Sequence, residues 1–129
     1  MRFLLDSHLL VWLAAQTTKL PMAARQIIED DRNTLFLSSA SIWELTIKYT
    51  LGRDEIPVHP KVLHRSLQYN DFQELEIRSD HAFALERLPP IHKDPFDRIL
   101  IAQAISEDMM LMTSDETIAQ YEGPIRLVR

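Results

Sequence analysis

Residues 94–115 read DPFDRILIAQAISEDMMLMTSD: a helix, then a strand, then an acid. Asp94 is a good N-cap, and Pro95 suits the first helical position, where its missing N–H costs nothing. Phe96, Ile99, Leu100 and Ala104 recur at helical spacing and supply the buried side. Met109 to Thr113 forms the next strand, and Asp115 follows two residues later.

Working outward, the same alternation of strand and helix continues. Arg2 to Leu5 reads as a short buried strand opening into Asp6 and Ser7. Leu9 to Ala15 suits a first helix, and Pro21 starts a second that carries Ile27 and Ile28 inward. Thr34 to Ser38 is a strand. Ser39 then caps a helix running to about Leu51 and closed by Gly52. Ile42, Leu45 and Tyr49 form its apolar stripe, which leaves Glu44 off it. Pro57 and Pro60 bracket a loop before a helix over Lys61 to Tyr69. Phe72 to Ile77 alternates apolar and polar residues, as a more exposed strand would. Ser79 caps a short helix through Arg87, broken by Leu88-Pro89-Pro90. Asp115-Glu116 begins a short helix, and Ile125 to Val128 closes as a strand. Strands separated by helices imply right-handed crossovers and a mostly parallel sheet of about five strands. With 129 residues, 46% of them hydrophobic, one domain spanning 1–129 has enough core without staples.

Four acids, Asp6, Glu44, Asp97 and Asp115, fall where strands run out or helices begin. In an open parallel sheet the strand carboxyl ends share one edge, where ligands bind. Carboxylates brought together there repel unless a positive group fills the gap, and a hard cation such as Mg2+ prefers oxygen ligands. Each acid also has a local role open to it. Asp6 and Asp115 could cap helices. Glu44 could close a capping box if Ser41 were the N-cap. Asp97 lies where the helix dipole favours an acid. Lys48, at i+4 from Glu44, reads equally as a surface ion pair or as a cation that orients Glu44 or meets a phosphate. Trp12, Trp43 and the methionines read as core. The five histidines show no paired zinc spacing. They read as surface or helix-packing residues; for His92, beside the expected site, contact with substrate is the alternative to that reading.

Other chemistries have little support. There is no Gly-rich phosphate loop and no G-x-S-x-G elbow. The absence of cysteine excludes disulfides and thiolate metal sites, and fits a reducing, cytoplasmic setting. No apolar run reaches membrane-spanning length, and no basic leader precedes an apolar stretch. A net charge of -5 argues against a simple electrostatic nucleic-acid binder. Acids concentrated around a cation soften that objection, because the bound ion inverts the local field.

The ordered motifs resemble one family over nearly the whole chain. They are Leu4-Leu5-Asp6-Ser7-His8, then Ser38 to Leu45 with Lys48 and Leu51-Gly52, then Leu88 to Arg98 continuing into Ile101-Ala102-Gln103-Ala104, and last Leu111 to Asp115. This set is similar to the PIN-domain ribonucleases, and among them to the VapC-type toxins of bacterial toxin-antitoxin pairs. The resemblance implies a three-layer α/β sandwich and Mg2+-dependent endonucleolytic cleavage of RNA, with Mn2+ as the other candidate ion. It assigns the family's four acids to Asp6, Glu44, Asp97 and Asp115, with Asp6 and Asp97 foremost as direct ligands. Asp94 belongs to the same signature without a firm metal role. Ser7, Lys48, Lys93, Arg98 and Thr113 are the expected substrate-side residues. A small antitoxin partner and a homodimer are implied as well. Two rival readings remain at this point: a PIN-like interaction module without turnover, and a receiver-like phosphoacceptor domain. The second would want paired acids after the first strand, where this chain has Asp6 alone.

Overall fold

The structure, a computed structural model, describes residues 1–129. Its centre is a five-stranded sheet in the order β3-β2-β1-β4-β5. The strands are β1 (Arg2–Leu5), β2 (Thr34–Ser38), β3 (Gln73–Leu75), β4 (Met110–Thr113) and β5 (Ile125–Leu127). Every neighbouring pair is parallel. The sheet is thus wholly parallel, beyond the mostly parallel arrangement expected. The helices are α1 (Ser7–Ala15), α2 (Met22–Ile28), α3 (Ser39–Thr50), α4 (Pro60–Tyr69), α5 (Ser79–Ala84) and α6 (Pro95–Glu107).

Successive strand residues point to opposite faces. Phe3, Leu5, Leu35, Leu37 and Met112 enter one core with Leu9 and Leu10 of α1 and Leu63 and Leu67 of α4. Leu4, Phe36 and Leu111 enter the other with Leu100, Ile101 and Ala104 of α6. Both faces of the central strands are covered, which is why β1, β2 and β4 read as continuous apolar runs rather than alternating ones. Together these make the three-layer α/β sandwich.

Boundaries moved where polar side chains compete for the same backbone groups. α1 starts at Ser7, two residues before the expected start, because Asp6 accepts from the Leu9 amide and caps it. The cap of α3 is Ser38, whose hydroxyl accepts from the Ala40 amide at 3.0 Å. Neither Ser39 nor Ser41 holds that position, so Glu44 closes no capping box. β3 keeps only three residues of the expected six, as an edge strand with one neighbour. Asp115 begins a tight turn into the 3-10 turn Ile118–Gln120, not an α-helix. No helix is long and apolar enough to cross a membrane.

Candidate metal centre

The strand order reverses between β1 and β4, so the crevice at their carboxyl ends is the switch point of the sheet. Leu5 pairs with Met112, which sets Asp6 beside Thr113. The Asp6 amide donates to the Met112 carbonyl at 3.0 Å. Asp6 is 1% exposed. Its Oδ1 accepts from the Leu9 amide at 2.9 Å, and its Oδ2 accepts from the Thr113 hydroxyl at 2.5 Å. The capping role weighed for Asp6 and its position in the site therefore coexist in one carboxylate.

Thr113 also accepts from the Asp115 amide at 3.0 Å, linking two acids through one hydroxyl. Asp115 uses Oδ1 to accept from Thr117 and Ile118 in the following turn. That leaves its Oδ2 toward the site, 3.8 Å from His92 Nε2.

Glu44 is buried on α3, although the helical stripe had placed it off the apolar face. Two partners make that burial affordable. Ser7 donates to its Oε1 at 2.7 Å, and the Lys48 ammonium donates to its Oε2 at 2.8 Å. Ser7 Oγ also lies 3.0 Å from the Ser41 hydroxyl. Burial opposes the charge on Lys48, yet the hydrogen bond and charge of Glu44 outweigh it and raise the ammonium's pKa.

α6 supplies Asp97. Asp94 caps this helix, accepting from Phe96 at 2.9 Å and Asp97 at 3.4 Å. Asp97 is pushed up to about 7, first by burial, then by the charges of Asp94 and Glu44, with Asp6 adding to them and His92 opposing. Asp6 is also raised, chiefly by burial and further by Asp115, against the Thr113 and Leu9 hydrogen bonds. Asp97 thus feels Glu44 and Asp6, and Asp6 feels Asp115.

His92 enters this site from the loop before α6. Its Nε2 lies 2.8 Å from Asp97 Oδ2. His92, Asp97 and Asp115 offer one nitrogen and two oxygens, all within 4.8 Å of one another. The His92 amide donates to the Tyr121 hydroxyl at 2.8 Å, and Arg98 donates to the same hydroxyl at 3.1 Å. Tyr121 anchors the loop, yet no motif in the sequence singles it out.

The five expected substrate-side residues divide by burial and bonding. Ser7 and Thr113 are buried, and each spends its hydroxyl on a carboxylate. Lys48 is held by Glu44. Arg98 donates to the Pro89 and His92 carbonyls as well as to Tyr121, so it secures the loop. Lys93 is exposed at the rim. Trp43 corrects its reading as core: it is 60% exposed and meets Phe96 edge-on, with ring centres 5.0 Å apart. Ile47 and Leu51 continue this exposed apolar line at i+4 and i+8.

The PIN domain family profile matches residues 3–124. The chain is 30% identical over 123 residues to Ribonuclease VapC22 of Mycobacterium tuberculosis, covering 94% of this chain and 92% of that protein. Among solved structures, VapBC2 from Rickettsia felis bound to a DNA fragment from its promoter superposes with a TM-score of 0.73 at 13% identity, over 100% of both chains. A domain of a protein of unknown function from Methanocaldococcus jannaschii gives 0.61 at 14% identity, over 99% of this chain and 91% of that one. At such identities the superpositions speak to the fold.

Proposed function

The chain belongs to the PIN-domain family, in its VapC-type branch, and from that premise we propose that it is a divalent-cation-dependent endoribonuclease acting as the toxin of a toxin-antitoxin pair. The observation that carries the proposal is the meeting of Asp6, Glu44, Asp97 and Asp115 at the sheet's switch point, with Asp97 driven up to about 7 by burial and its acidic neighbours. Left to themselves, these charges oppose one another. The oxygen-rich donor set fits Mg2+ or Mn2+.

Asp6 and Asp97 would hold the ion directly, and Glu44 and Asp115 would hold its waters or a second cation. Such an ion lowers the pKa of water and neutralises charge developing on a phosphate. The protein's own contribution is orientation. Thr113 fixes Asp6 and Asp115 relative to each other, and Ser7 with Lys48 fixes Glu44. Lys93, at the rim, would meet the RNA backbone. Water would attack the phosphorus and the P–O3' bond would break, the O3' leaving as a hydroxyl once protonated, which gives a 5'-phosphate and a 3'-hydroxyl.

The test is cleavage of structured RNA by the purified protein with Mg2+ or Mn2+. Asp6→Asn and Asp97→Asn are expected to abolish it. Full cleavage in EDTA overturns the metal mechanism, and tight RNA binding without turnover favours the interaction-module reading.

The partner proposal rests on the exposed line of Trp43, Ile47 and Leu51 beside the acids. A small antitoxin covering that line could place an arginine in the acidic pocket, and a homodimer is proposed as well. Light scattering of the chain alone and with the product of the adjacent reading frame tests both. A monomer unchanged by that product counts against them.

A further inference from the structure

His92 Nε2 is the one buried side-chain nitrogen or oxygen in the molecule without a hydrogen-bond partner. It is nevertheless 2.8 Å from Asp97 Oδ2 and 3.8 Å from Asp115 Oδ2. The ring is close to the carboxylates but not aligned to donate to them. A buried polar atom without an aligned partner carries a desolvation cost that calls for a cause, and a role in holding a cation is one such cause.

The spacing of the three atoms suits that cause. Ligands at about 2.1 Å from an octahedral cation lie about 3 Å apart when adjacent and about 4.2 Å apart when opposite. The observed 2.8 and 3.8 Å fall close to that span. The three donors come from separate segments: the loop before α6, α6 itself and the turn after β4. The loop is secured independently of the ring, because Tyr121 accepts from the His92 amide and Arg98 donates to the His92 carbonyl. The backbone therefore presents the imidazole to the acids whether or not the ring finds a partner there.

A second cluster in the same molecule shows the contrasting arrangement. Asp80, His81 and Glu107 also bring three donor atoms together. There Arg78 donates to both acids, and both His81 nitrogens have partners: the Arg78 amide on Nδ1 and Glu107 on Nε2. A guanidinium already satisfies that group. Beside His92, neither Asp97 nor Asp115 is paired with a guanidinium, and each meets the imidazole instead.

We propose that His92 Nε2 is a direct ligand of the cation that Asp97 holds, beside Asp115 Oδ2, giving an otherwise all-oxygen site one nitrogen donor. This deepens the metal reading above and rests on it. The consequence is selectivity. Mg2+ favours oxygen donors and retains its waters, whereas imidazole suits transition cations. The site then favours Mn2+ over Mg2+. In the bound state the imidazole is neutral, with its proton on Nδ1.

The experiment measures metal binding directly, with no RNA present. Calorimetric titration of Mn2+ and Mg2+ into the whole chain and into His92→Ala gives both affinities. Pulsed electron paramagnetic resonance on the Mn2+ complex reads any directly bound nitrogen. The parent chain is expected to bind Mn2+ about tenfold tighter than Mg2+ or better, with nitrogen modulation in the spectrum. His92→Ala should lose that modulation and raise the Mn2+ Kd about tenfold or more, with a much smaller change for Mg2+. If the parent binds metal without nitrogen modulation, or if His92→Ala binds Mn2+ as tightly or more tightly, the ring is a neighbour or a competitor and the inference falls. Neither result touches the metal mechanism. Failure of the parent chain to bind either cation would overturn both.

Discussion

Thr113 ties two acidic residues to one hydroxyl, donating to the Asp6 carboxylate and accepting from the Asp115 backbone amide. Replacing it by valine keeps the shape of the strand end and removes both bonds. Groups that orient ligands typically affect metal affinity or activity by about 10- to 100-fold. Thr113→Val is expected to weaken divalent-cation binding in that range, measured by calorimetry, while thermal unfolding of the metal-free chain stays cooperative. Asp97 gives the corresponding pH prediction. Folding raises its pKa from 3.8 to about 7, so the folded state holds a proton that the unfolded chain releases. Stability falls with pH wherever the native state binds more protons. The metal-free chain should therefore lose stability as pH rises from about 4 through 7, with Asp6, also raised, acting in the same sense. Saturating Mn2+ or Mg2+ should reverse the trend, since the cation favours the ionised acids. Urea midpoints across this pH range, with and without metal, check it; a metal-free midpoint that climbs from pH 5 to 8 would contradict it.

At the scale of elements, α6 offers a separable test. Asp94 caps the helix through the Phe96 amide and also adds repulsion at Asp97. Asp94→Ala should remove the cap at a cost of about 1 kcal/mol. Asp94→Ser keeps a capping oxygen without the charge, and should recover most of that stability in chemical denaturation while still easing Asp97 downward. The start of this helix was legible because Asp94-Pro95 is a local signal, and the central strands β1, β2 and β4 were legible because both of their faces are covered. What the sequence leaves hidden depends on distant partners. Ser38 and Ser39 are equivalent as local caps, and only the packing of α3 against the sheet end selects Ser38. The six-residue strand pattern shortens to Gln73–Leu75 because an edge strand has one neighbour to pair with. On α3, hydrophobicity ranks Trp43 inside and Glu44 outside, and the structure inverts both. Ser7, 37 residues away, and Lys48 make a buried glutamate tolerable, a compensation that no window on the helix could display. The four acids could be picked out by their positions after strands and at helix starts, but their convergence needed the sheet order. His92 was visible only as a neighbour of the site; its unpaired nitrogen emerges from the fold.

For the whole molecule, the constraint is charge. The chain carries -5, and Asp6, Glu44, Asp94, Asp97 and Asp115 stand at the crevice where a polyanion would have to sit. A protein that grips RNA mainly through phosphates loses affinity steeply with salt, by about 0.7 in log K per phosphate contact for each tenfold rise in salt on a single strand. Of the basic residues near the acids, Lys48 is held by Glu44 and Arg98 by the loop, which leaves Lys93 exposed at the rim. Few phosphates can then be held by side chains, and the cation in the acidic cluster must offset much of the repulsion. Two outcomes are expected for binding of a short RNA, measured by fluorescence anisotropy under conditions too cold and brief for turnover. At saturating Mg2+ or Mn2+ the salt slope should be shallow, corresponding to about one or two phosphates. In EDTA, affinity should drop about tenfold or more, and added monovalent salt should then help rather than hinder, because it screens the repulsion between like charges. A steep negative slope in EDTA would mean that a basic surface elsewhere on the molecule binds the RNA, and that the acidic crevice is not where the strand is held.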